Sequence, residues 1–204
     1  MAAPHLMRPV DLERREACAT ELRARFPGHA EAVLSALDDN PSAELPYHGT
    51  PHMLVVALAV LELADGEKLT AEETDLVFLA ALFHDYDYAG APNDTVNTAR
   101  SASAVHRHLA FTDHHRIASL VEASRYPYLV PPRCRLEEVL RDADVAYSTL
   151  LIPDAQHFRT GLFLERGAPS TEQDALAFVI GHGLYTRSAV KAVDRVVSAG
   201  RDRR

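Results

Sequence analysis

Residues 70–88 read TAEETDLVFLAALFHDYDY, and the pattern of this stretch decides the fold. Thr70 followed three positions later by Glu73 fits a capping box, in which each side chain satisfies a backbone N–H at a helix start. Leu76, Val77, Leu79, Ala80, Leu82 and Phe83 then recur at helical spacing and predict a helix over 71–86 with its apolar face turned inward. His84-Asp85 stands at the far end of that helix. An imidazole beside a carboxylate can give one metal ion two adjacent ligands.

The same spacing of three and four residues dominates the rest of the chain, and runs that alternate apolar with polar are scarce. Helices are expected at about 9–26, 29–38, 51–64, 71–86, 95–110, 113–125, 135–151, 154–165, 171–181 and 185–199, which makes the fold class all-α, a helical bundle. The Pro-containing breaks at 40–46, 89–93 and 126–132 are too short for domain linkers and read as loops between helices. A chain of 204 residues, 47% hydrophobic, can bury one sizeable core, so one domain spanning 1–204 is expected. An apolar helix from Ala189 to Val197 could serve a homodimer or cover the core.

Charge and composition narrow the partners. A net charge of -8 disfavours extended duplex nucleic acid and requires that any phosphate-bearing ligand be met by local positive charge, from a metal or from arginine. The longest apolar run, Met53 to Leu61, is too short to span a bilayer, and the N-terminus lacks the apolar core of a signal peptide, so no membrane association and a cytoplasmic location are expected. Cys18 and Cys134 read as free thiols.

Four residues fit the needs of a divalent ion with catalytic duty: His52, His84, Asp85 and Asp144. Thr50-Pro51 suits an N-cap followed by the first helical position, which puts His52 in a first turn and His48 in the loop ahead of it. Asp144 enters on a helix whose buried stripe is Leu136, Val139, Leu140, Ala143 and Tyr147. It lies at the edge of that stripe, where a carboxylate is costly unless paired or metal-bound, whereas Asp142 falls with Glu138 on the wet side.

Tyr47-His48-Gly-Thr-Pro-His52, then His84-Asp85, then Arg141-Asp-Ala-Asp144 resembles the HD superfamily of metal-dependent phosphohydrolases, over about residues 45–150. Leu82 to Asp94 is similar to the metal-site segment of cyclic nucleotide phosphodiesterases, and Asn97 to Ala102 is similar to a segment of small bacterial predicted HD phosphohydrolases. The resemblance implies an HD-type bundle with added N- and C-terminal helices, and His52, His84, Asp85 and Asp144 as ligands of one or two divalent ions (Mn, Fe, Zn, Co, Ni or Mg). Asp85 is also implied in catalysis, bridging the ions if two bind. It further implies a phosphate ester of a small molecule or nucleotide as substrate, a metal-bound hydroxide as nucleophile, and His48 as the acid that protonates the leaving oxygen. Asp87, Tyr88, Asn93 and Asn97 are implied as supporting or substrate residues.

Two departures stand out: Gly49 occupies a position where Asn is usual, and Tyr88 replaces a histidine. They bear on the support of the site and motivate one alternative, a ligand-binding HD protein without turnover. The other alternative is a di-iron oxygenase, which adds two histidines between the HD pair and the last Asp. His106 could be the first of these, but the second belongs near Ser124, where the chain has no imidazole. His106, His108, His114 and His115 otherwise read as surface residues. Arg100, Arg107, Arg125 and Arg133 are candidates for gripping a phosphate, and Tyr86, Tyr88, Tyr126 and Tyr128 for walling a pocket.

Overall fold

A computed structural model describes residues 7–91, 94–167 and 171–201. Among the described residues there are ten α-helices and no strand, so the all-α expectation holds. In chain order they are α1 (Pro9–Arg25), α2 (Ala30–Asp38), α3 (Thr50–Glu67), α4 (Ala71–Phe83), α5 (Asp94–His108), α6 (His114–Ala123), α7 (Arg135–Ala146), α8 (Ala155–Arg166), α9 (Glu172–His182) and α10 (Arg187–Arg201).

α3 and α4 are apolar on all sides, and the fold surrounds them for that reason. α3 packs against α1, α4, α7 and α10, and α4 packs against α5, α6 and α7 as well. One hydrophobic core results, reaching from Cys18 of α1 to Val193 of α10. α10 is the helix read as a dimer face or a core cover. Ala189 and Val193 are buried in that core, Val196 and Val197 pack on it, and Val190 is 41% exposed. No described helix is long and apolar enough to cross a membrane.

Most helix ends fall within a few residues of the sequence reading, and three of the differences shape the site. α3 begins one residue early: Gly49 is the N-cap, and Thr50 is drawn into the helix with its N–H on the Ala43 carbonyl and its Oγ1 accepting from Asn40 Nδ2. α4 starts at the expected capping box but stops at Phe83, three residues short. Beyond it Asn40 Oδ1 accepts the Asp87 N–H and Ser42 Oγ accepts the Tyr88 N–H. These side chains take the donors that further helix would need, and Asp87 turns left-handed at φ 60. The helix expected over 135–151 changes after Ala146 into a π turn, Tyr147–Leu151, closed by the Ile152 N–H on the Tyr147 carbonyl. Wider turns of this kind recur at functional sites.

Asp142 is not on a wet face. It is 1% exposed, and its carboxylate accepts from the N–H groups of Tyr185 and Thr186 and from Thr186 Oγ1, fixing the turn into α10. Burial raises its pKa, while those donors pull the other way. Asp142 is enclosed because α7 is covered on two sides, by α3 and α4 and by α10, whereas Asp144 stays partly open to the cavity.

The two thiols differ sharply. Cys18 is fully buried and burial pushes it up to about 12, whereas Cys134 is exposed. Because the thiolate is the reactive form, a disulfide reagent should titrate one thiol per native chain at mildly alkaline pH and two after denaturation.

Candidate metal site

Four side chains meet where α3, α4 and α7 converge. His52 points in from the first turn of α3, His84 and Asp85 come from the residues that leave α4, and Asp144 comes from the last turn of α7. The Nε2 atoms of His52 and His84 lie 3.2 Å apart. Asp85 Oδ2 is 3.3 Å from the first and 3.1 Å from the second, and Asp144 Oδ1 is 3.2 and 3.6 Å from them. Ligands at 2.0–2.1 Å from one ion stand about 2.8 to 3.4 Å from each other at octahedral or tetrahedral angles; His52, His84 and Asp144 come close to that spacing, while Asp85 contacts both imidazoles and stands outside this three-residue group. His52, His84 and Asp144 form a group that could hold a metal ion.

His84 is oriented for that role, while His52 Nδ1 is buried without a hydrogen-bond partner among the described residues. His84 Nδ1 donates to the Ala81 carbonyl at 2.8 Å, which leaves Nε2 with its lone pair toward the cluster. His52 and His84 are 0% and 2% exposed. Burial favours their neutral forms, but Asp144 and Asp85 outweigh it and raise both pKa values, that of His84 strongly. Burial likewise raises the two carboxylates, and the imidazoles overcome it, holding Asp85 well below its usual range and Asp144 below it too. Tyr128 Oη donates to Asp144 Oδ2 at 3.2 Å and fixes the second oxygen.

His48 stands beside the cluster on a support of its own. Its ring stacks on Tyr88 at 3.8 Å and 4°. Its Nδ1 lies 2.5 Å from Glu165 Oε2 of α8, and Glu165 Oε1 accepts the N–H groups of Tyr47 and His48. Burial raises the Glu165 carboxyl, and the bonds from His48 and the loop lower it by more. The Arg166 guanidinium lies over the Tyr88 ring, 5.4 Å from its centroid.

A cavity of about 480 Å³ opens from His84, Asp85 and Asp144, in the range of small-molecule sites. Tyr88, Tyr126, Tyr128 and Phe178 form much of its wall, and its arginines are Arg159 and Arg166. The arginines named from sequence are elsewhere: Arg100 pairs with Asp87, Arg133 with Glu137, Arg125 donates to Thr95 and Arg107 to Ser103. Asp87 is thereby turned away from the cavity. Asn97 is buried and holds the loop after the HD pair, accepting from the N–H groups of Ala89 and Ala91 and donating to Asp94. Asn93 lies outside the described residues.

Sequence reasoning missed Glu165, Asn40 and Ser42. Glu165 sits 117 residues from His48, and only the end of its helix was visible. Asn40 and Ser42 lie in a stretch whose Pro41 marked a loop and nothing more.

Gly49 has a steric explanation. A Cβ there would stand 2.5 Å from the Leu45 carbonyl and 2.6 Å from that of Ala43, and Asn40, nearby, carries the amide that organises this turn. Gly161 of α8 is similar, since a methyl group would overlap the Pro46 carbonyl beside His48. Compared with known proteins, the sequence matches no family model and no curated relative. Gly49→Asn, which restores the residue usual in the HD pattern, should lower stability by about 1 to 3 kcal/mol through overpacking, read as a lower midpoint in chemical denaturation.

Proposed function

We propose that this chain is a metal-dependent phosphohydrolase of HD type, acting on a phosphate ester of a small organic molecule or nucleotide. The observation that carries the reading is the convergence of His52 and His84 Nε2, 3.2 Å apart, with Asp85 and Asp144 oxygens 3.1–3.6 Å from them, at the floor of a cavity that His48 also lines. His52, His84, Asp85 and Asp144 would hold the ion. A divalent ion supplies Lewis acidity toward a phosphoryl oxygen and toward water.

The remaining roles belong to the chain's own groups. His48 Nδ1–H donates to Glu165, which leaves Nε2 to hold the proton that the leaving alkoxide requires. In the protonated ring both nitrogens carry hydrogen, and the Glu165 carboxylate holds Nδ1–H so that Nε2–H is the one to be given up, as a carboxylate behind a catalytic imidazole orients it generally. The Tyr88 stack fixes the ring plane, so substitution of the usual histidine by tyrosine keeps a support for His48. Arg159 and Arg166 give the cavity positive charge for a phosphate, and the tyrosines with Phe178 give an apolar wall for the rest of the ester.

The lining disfavours a di-iron cage. The α5 positions that face the cavity include Asp94 and Thr98, the α6 position is Ser124, and His106 is exposed elsewhere. No added imidazole reaches the cluster among the described residues.

Metal analysis joined to a panel of phosphate esters tests the proposal. The metal-loaded chain should hydrolyse at least one ester, and Asp85→Ala should abolish both turnover and tight metal retention. His48→Ala should keep the metal and lose about 10²- to 10⁴-fold in kcat, the usual worth of a positioned general acid. A metal-replete chain inert across the panel, or one that turns over only with oxygen and two irons, would sink the reading. Chelation should also lower Tm, because an ion that binds only the folded chain stabilises it by mass action.

A further inference from the structure

Away from the cavity, three imidazoles gather where α5 ends and α6 begins. His106 lies in the last turn of α5, and His114 and His115 are the first two residues of α6. Ring centroids are 5.2 Å apart for His106 and His114, 5.3 Å for His106 and His115, and 4.4 Å for His114 and His115. Each ring offers a nitrogen within 4.8 Å of a nitrogen on both others. We propose that His106, His114 and His115 form a second, surface metal site for a borderline divalent ion such as Zn²⁺, Ni²⁺, Co²⁺ or Cu²⁺.

Three features support the assignment. The ligand set is all imidazole, which selects these ions over Mg²⁺, Ca²⁺ and Mn²⁺. His114 Nδ1 donates to the Thr112 carbonyl at 3.2 Å, the kind of second bond that orients a ligating histidine and leaves Nε2 for the ion. The frame beneath the rings is rigid: Val105, Leu109 and Ile117 are fully buried, α5 packs on α6, and Asp113 caps α6 through the Arg116 N–H. His106 and His115 are exposed, so the small rotations that close the nitrogens to bonding distance meet little resistance.

Opposing terms set the strength. The N-terminus of α6 carries partial positive charge, and Arg107 and Arg116 flank the rings, although Arg116 is paired with Glu72. The site is therefore exchangeable, with its outer coordination positions open to water. An ion there joins α5 to α6, and both helices reach the cavity, through Thr98 and through Ser124 at the end of α6. Metal at the surface thus braces one wall of the cavity without touching the buried cluster.

The test is a difference in stoichiometry. Chelator-stripped chain without an affinity tag is dialysed to equilibrium against low-micromolar free Zn²⁺ and its metal is counted by mass spectrometry. The wild type should hold one more Zn²⁺ per chain than His106→Ala/His115→Ala, whether or not the buried cluster is filled, and the imidazole NMR signals of His106, His114 and His115 should shift together on Zn²⁺ addition. His106→Gln and His115→Gln, made singly and checked by circular dichroism, guard against a folding defect and should each lose the same equivalent. Equal metal content in the wild type and the variants, or a Zn²⁺ response at only one of the three rings, would overturn the site.

Discussion

Two imidazoles and two carboxylates are packed at the floor of the cavity, the imidazoles enclosed and the carboxylates partly open to it, and the rest of the structure is arranged to keep them there. None of the four would be tolerated singly at that depth, because burial disfavours each charge; together they satisfy one another. The gathering needs three helices, and the apolar bodies of α3 and α4 supply the cohesion that brings α7 against them. A carboxylate at the border of the α7 stripe is expensive in isolation and becomes compatible with packing only because His52 and His84 face it.

The residues that shape this site without entering it are mostly amides and hydroxyls. Asn40 and Ser42 release His84 and Asp85 from α4, Asn97 holds the loop that follows, and Tyr128 pins one oxygen of Asp144. Asn40 and Ser42 act on backbone N–H groups 47 and 46 residues away, while Asn97 acts on a loop close by in sequence. Their contribution is geometric: a helix that ran on to residue 86 would set Asp85 and Tyr88 in different directions.

Much of the fold was legible because its signals are local. The capping box at Thr70 and Glu73 and the apolar runs of α3 and α4 each lie within a few residues, and appear where expected. The members of the candidate cluster were legible too, since residue type and order sufficed to select His52, His84, Asp85 and Asp144. What escaped was long-range. Glu165 reaches His48 across 117 residues, the burial of Asp142 depends on where α10 lands, and the cavity's arginines come from α8, which composition cannot orient. The π turn after Ala146 was equally hidden, because Tyr147 to Leu151 is apolar enough to read as ordinary helix.

Gly161 lets α8 settle against the Pro46 carbonyl, and Glu165 one turn later reaches His48. The His48–Glu165 pair is thus mounted on α8 and the loop before α3, while the His52, His84, Asp85 and Asp144 cluster is mounted on α3, α4 and the segment after it, and α7. The molecule is modular at its centre. Under the proposed function, drift in α8 would retune proton delivery, or remove it and leave a binding protein, without disturbing the residues proposed to hold an ion; the two supports are free to evolve at different rates.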